Sequence, residues 1–153
     1  MAPLYVSVVG GSAAGTDACA AAEELGRALA EGGAVVVTGG RGGVMEAACR
    51  GAKAAGGTTV GILPGDDRAE ANRWVDLAVP TGMGEGRNVL VVRAADVVAA
   101  VGGEYGTLSE IALALKLGKP VVGLATWDVS DAIVRVATPA DAAATALRLA
   151  AGG

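Results

Sequence analysis

"DVVAAVGGEYGTLSEIALALKLGKPVVGLA" (residues 96–125) decides the fold. "DVVAAVGG" (96–103) is a short apolar run ending in glycine, the pattern of a buried strand. "TLSEIALALKLG" (107–118) follows as a helix. Leu108, Ile111, Ala112 and Leu115 recur at i, i+3, i+4, i+7, and Gly118 supplies the left-handed stop. "PVVGLA" (120–125) is the next strand. Strand, helix and strand in 30 residues make a βαβ unit, whose strands run parallel.

The same arrangement extends in both directions. "LYVSVV" (4–9) reads as a strand ending at Gly10-Gly11-Ser12, before a helix capped by Thr16 or Asp17 and running to about Glu31. "AVVVTGG" (34–40) is a second strand, followed by "RGG" and a helix from Val44 to about Ala55. "TTVGILPG" (58–65) and "VDLAVP" (75–80) are strands separated by a polar loop or short helix at 66–74. "TGMGEGRN" (81–88) is a glycine-rich loop. "NVLVVRAA" (88–95) has strand-like valines, but only Ala94–Ala95 separates it from the strand at 96–103, so a buried helix is expected. "AIVRVA" (132–137) suits a short edge strand and "PADAAATALRLA" (139–150) a last helix with proline near its first turn. The expected fold is α/β: a single Rossmann-like, doubly wound, mainly parallel sheet with helices on both faces, in one domain spanning 1–153.

Composition narrows the chemistry. The chain has 52% apolar residues but only 3% aromatic and no Phe, so its core must be Ala, Val, Leu and Ile. Its formal net charge is −4 and it has no basic block, which argues against nucleic acid as the main partner. There is no histidine, which removes His-based triads and His metal ligands; no metal site is expected. Cys19 and Cys49 fall in helical patterns without a C-x-x-C and read as buried, reduced thiols. No apolar run of about eighteen residues and no basic N-terminal region occur, so a cytoplasmic protein without a membrane partner is expected.

Three glycine-rich turns lie at strand carboxyl ends, where ligands of open α/β sheets bind: Gly10-Gly11-Ser12, "TGGRGG" (38–43) and "GGEYGT" (102–107). Glycine lets a phosphate approach the backbone, and the helix beyond it presents free N–H groups. The candidate phosphate-binding residues are Gly10, Gly11, Ser12, Gly39, Gly40, Gly42, Gly43, Gly102, Gly103, Gly106 and Thr107. The dinucleotide fingerprint fits badly, because Ser12 stands where its middle glycine belongs, and no P-loop motif is present. Glu110 has a plain structural reading as the N3 member of a capping box with Thr107 as N-cap. Arg87 opens an apolar helix, against the helix dipole, which suggests a ligand phosphate or a carboxylate beside it. Glu104 and Tyr105 read as loop residues, with Tyr105 able to border a ligand.

"VVGGS" (8–12), "VVTGGRGGVMEAACRGAKAAGGTTVGILPG" (36–65) and "GMGEGRNVLVVRAADVVAAVGGEYGTLSEIALALKLGKPVVGL" (82–124) resemble the LOG superfamily. That superfamily holds nucleoside 5′-monophosphate phosphoribohydrolases, proteins labelled as possible lysine decarboxylases, and molybdenum-cofactor carriers. The resemblance covers residues 4 to about 125. The enzymes' P-G-G-x-G-T-x-x-E is altered here: Val101 replaces the proline and one residue is added, a form closer to the carrier-like branch. Gly102, Gly103, Gly106, Thr107 and Glu110 match position by position, and Arg87 and Glu110 stand where the enzymes have their catalytic pair. Asn88 follows Arg87 where the enzymes usually have Lys.

The resemblance implies two activities. The main expectation is hydrolysis of the N-glycosidic bond of a nucleoside 5′-monophosphate to base and ribose 5-phosphate, with Glu110 stabilising the sugar cation or orienting water and Arg87 acting electrostatically. The alternative is a non-catalytic carrier that holds the molybdenum cofactor, a molybdopterin, as cargo. Neither requires a resident cofactor. Decarboxylation through pyridoxal phosphate is disfavoured, because Lys53, Lys116 and Lys119 all fall away from the strands' carboxyl ends. Two helices that are apolar nearly all round, 88–98 and 111–117, together with the resemblance, imply a homodimer or tetramer.

Overall fold

The computed structural model describes residues 2–152. In chain order the elements are β1 (Leu4–Gly10), α1 (Thr16–Glu31), β2 (Ala34–Thr38), α2 (Val44–Ala54), β3 (Thr59–Leu63), a 3-10 turn (Arg68–Glu70), β4 (Leu77–Pro80), a second 3-10 turn (Gly84–Arg87), α3 (Asn88–Arg93), β5 (Val97–Val101), α4 (Tyr105–Lys116), β6 (Val121–Leu124), β7 (Ile133–Val136) and α5 (Pro139–Ala150). The seven strands expected from the apolar runs all form, and the 88–95 segment is helical despite its valines.

The strands make one sheet in the order β4-β3-β2-β1-β5-β6-β7, parallel at every pairing. The chain builds outward from β1 to β4, then crosses back to start the second half at β5. Crossovers of one hand in opposite directions put their helices on opposite faces. α1 and α2, with α5, therefore cover one face, and α3 and α4 the other. Strand pleating sorts the valines: Val6, Val8, Val97 and Ala99 face the first layer, while Val9, Val98 and Ala100 face the second. Leu25, Leu29 and Ile111 are wholly buried. Each such side chain contributes roughly 1.5–3 kcal/mol.

Small residues set the layer spacing. A Cβ on Gly26 would strike Ala48 O, and one on Gly51 would strike Glu23 O, so α1 and α2 cross backbone against backbone. The same crossing is tied at its rim by Arg50 Nε donating to Glu23 Oε1 (2.8 Å). On the opposite face, buried Ser7 donates to Val91 O (2.7 Å) and joins β1 to α3.

Local expectations need correction in four places. Gly15, not Thr16 or Asp17, is the N-cap of α1, and no side chain caps it. α4 starts two residues early, with Glu104 as N-cap, so the capping box of Thr107 and Glu110 does not form. Instead α4 buries Thr107, Glu110, Ile111 and Ala114, leaving Ala112 exposed and Leu108 and Leu115 half-buried. The buried stripe keeps its period but is turned by one residue, and Thr107 packs against the Gly103 turn. Finally, Cys49 is buried but Cys19 only half-buried, with Sγ on Ala14 O (3.6 Å).

Candidate functional site

The strand order reverses between β1 and β5, and a crevice forms outside their carboxyl ends. It is a cleft of about 560 Å³, within the size range of small-molecule sites. Of the residues singled out from sequence, Gly10, Gly11, Ser12, Gly39, Gly42, Arg87, Gly106, Thr107 and Glu110 line it. Gly40, Gly43, Gly102 and Gly103 do not; they shape the turns behind it. None of the three lysines lines the cleft.

The turns are packed on one another. Val44 N donates to Gly11 O (3.1 Å), which docks the start of α2 on the β1 turn. Gly43 has φ +63°, and a Cβ there would strike Gly11 O and lie 2.6 Å from Ser12 O. Only glycine combines that left-handed backbone with that approach. Gly103, at φ +120°, makes the equivalent reversal over Thr107.

Arg87 is only 9% exposed, although it stands in the first turn before an apolar helix. Its Nη1 donates to Asn88 Oδ1, and Asn88 Nδ2 donates to Ser109 Oγ (3.1 Å) on α4. Ser109 Oγ in turn donates to Gly106 O (2.6 Å). Arg87 Nε is buried without a partner among the described residues, an orphan donor of the kind that a ligand satisfies. A Cβ on Gly39 would lie 2.6 Å from Arg87 Nη2, so Gly39 makes room for the guanidinium.

Glu110 is 7% exposed. Burial pushes its carboxyl up from the ordinary 4.5 to about 8; Arg87 pulls it down and Glu85 pushes it up, but desolvation dominates. No ion pair within 4 Å joins it to Arg87 among the described residues. At neutral pH Glu110 is thus mainly an uncharged acid with an O–H to donate.

Sequence reasoning missed Asn88, Glu85, Arg41, Met45 and Pro64, which also line the cleft. Glu104 lines it as well, its Oε1 3.0 Å from where a Gly11 Cβ would sit, whereas Tyr105 begins α4, is 82% exposed and stacks on Trp127 instead. The spacing of Arg87 and Asn88 after the glycine loop was a usable signal for the first of these. Among the described residues no group of His, Cys, Asp or Glu is arranged to hold a metal ion, and no helix is long and apolar enough to cross a membrane.

The architecture is a Rossmann-like α/β fold with a cleft at the topological switch point. The chain belongs to the SLOG cluster4 family, a LOG-like group, whose model matches residues 3–148. It is similar to a molybdenum cofactor binding protein from the phototrophic bacterium Rippkaea orientalis: 37% identical, 97% of each chain covered, TM-score 0.90. It is similar to the molybdenum cofactor carrier protein of Chlamydomonas reinhardtii at 36% identity, covering 98% of this chain and 99% of that one, TM-score 0.90. An uncharacterised protein of Archaeoglobus fulgidus is 40% identical over 139 residues, 91% of each chain.

Proposed function

We propose that this chain binds a molybdenum-cofactor-type ligand, a phosphate-bearing pterin, in the switch-point cleft and carries it without breaking a bond. The observation that carries this reading is the likeness, over nearly the whole chain, to two proteins described as binding or carrying that cofactor. The ligand phosphate sits on the first turn of α4, at Gly106 and Thr107, which line the cleft and whose N–H groups have no intrahelical acceptor, while Gly102 and Gly103 shape the turn behind them. Gly10, Gly11, Ser12, Gly39 and Gly42 form the opposite wall, with Gly40 and Gly43 shaping the turn behind it. Arg87 gives its free Nε to an anionic or carbonyl oxygen of the ligand.

A protonated Glu110 can donate a hydrogen bond to a bound ring or phosphate. The same raised carboxyl suits a general acid at a leaving base, so the phosphoribohydrolase reading draws on Glu110 and on Arg87 lining the same cleft.

One experiment separates the two. The purified protein is mixed anaerobically with molybdenum cofactor released from a molybdoenzyme, desalted, and assayed for retained pterin; a parallel sample is incubated with nucleoside 5′-monophosphates and assayed for free base. Retained pterin without free base is the expected result. Free base without retained pterin, lost in Glu110→Gln, would replace carriage with hydrolysis.

A further inference from the structure

The turn that opens α4 is held from outside the cleft by the corner that follows β6. Thr126 Oγ1 donates to Gly102 O (2.5 Å), and Trp127 Nε1 donates to Glu104 O (3.1 Å), an oxygen that also accepts the Leu108 N–H (3.0 Å). Ala125, just before them, has φ +51° without being glycine, a conformation that persists only where its surroundings impose it. Trp127 is further pinned by Tyr105, whose ring stacks on it with centroids 6.0 Å apart. Thr126 Cγ2 abuts Gly123, where a Cβ would lie 2.9 Å away.

These bonds act on the far side of each peptide plane. In a trans peptide the carbonyl of one residue and the N–H of the next point in opposite directions. Fixing Gly102 O against Thr126 therefore aims the Gly103 N–H away from the corner, and fixing Glu104 O against Trp127 does the same for the Tyr105 N–H. Glu104, Gly106 and Thr107 of this turn line the cleft, and Gly103 and Tyr105, which carry these two N–H groups, are their chain neighbours. We infer that Thr126 and Trp127 are positioning residues: they touch no ligand, but they orient the amide donors of the 102–107 turn and so set its affinity for an oxyanion. This rests on the proposed anion site at that turn, for which the buried, unpartnered Arg87 Nε in the same cleft is a separate observation.

The test titrates inorganic phosphate into the full chain and follows the Gly103 and Tyr105 amides by ¹H–¹⁵N NMR. Thr126→Val keeps the methyl that packs on Gly123 and loses the hydroxyl; Trp127→Phe keeps the ring stack and loses the N–H. Thr126→Val should weaken phosphate by about tenfold, the scale of one hydrogen bond, and Thr126→Ser should restore it. Trp127→Phe should act in the same direction, and Thr126→Ala substitutes for the valine variant if that one does not fold. Folded Thr126→Val and Trp127→Phe proteins that bind phosphate like the wild type overturn the positioning role alone. A wild type whose two amides do not respond to phosphate overturns the anion site and the positioning role together.

Discussion

Asn88 holds Arg87: its Oδ1 accepts from the guanidinium while its Nδ2 reaches Ser109 on α4. The cation is tethered to a neutral amide, and the start of α3 is tied to α4. Asn88→Ala should loosen Arg87 and weaken ligand retention by roughly tenfold, the loss of one charge-assisted bond. Arg87→Ala should cost more, roughly ten- to hundredfold, measured by equilibrium binding of the released cofactor.

The same Arg87→Ala change has a second expected outcome. Arg87 is what pulls the Glu110 carboxyl down against burial, so removing it should raise the Glu110 titration further. A ¹³C-detected titration of the Glu110 side chain checks this, and a downward movement would contradict it.

The Glu110 shift also makes stability depend on pH. The folded chain holds a proton on Glu110 up to about pH 8, whereas an unfolded chain releases it near 4.5. Below the lower value both states are protonated and the contribution is fully present; between the two the unfolded state binds fewer protons. Stability should therefore fall as pH rises through this window, by up to ~1.4 kcal/mol per unit from this group, and then level off. Glu110→Gln should flatten that segment of the melting-temperature profile and be the more stable protein above pH 8.

Gly39→Ala tests whether the room beside Arg87 matters. The added methyl would meet two flexible groups, Arg87 Nη2 at 2.6 Å and Met45 Sδ at 2.8 Å. The fold should survive with a melting temperature near that of the wild type, while ligand retention drops along with Arg87→Ala. Thermal melts and binding on the same sample separate the two effects.

Assembly is expected through the thinner layer. α3 and α4 leave Leu90, Leu108, Leu113, Leu115 and Leu117 only partly buried, a surface suited to a second copy across a two-fold axis. Leu115→Asp should stay soluble and shift light scattering toward monomer. Val91→Asp cannot report on assembly, because Val91 is wholly buried and its variant should not fold.

What the sequence by itself determined is the architecture and the place of the crevice. Seven short apolar runs, several ending in glycine turns, with helical periods between them, admit little other than a doubly wound parallel sheet, and glycines at strand carboxyl ends mark the crevice. These signals are local: each depends on residues within a few positions of one another. The tertiary structure decided the rest. Whether Glu110 caps a helix or lies buried with a raised carboxyl depends on where α4 starts and how it is rolled onto the sheet, with Thr107 packed against Gly103. The Arg87–Asn88–Ser109 chain joins elements 21 residues apart, and the corner at Thr126 grips a turn 24 residues away. Desolvation and hydrogen-bond direction arise from neighbours distant in the chain, so no reading of adjacent residues could have supplied them.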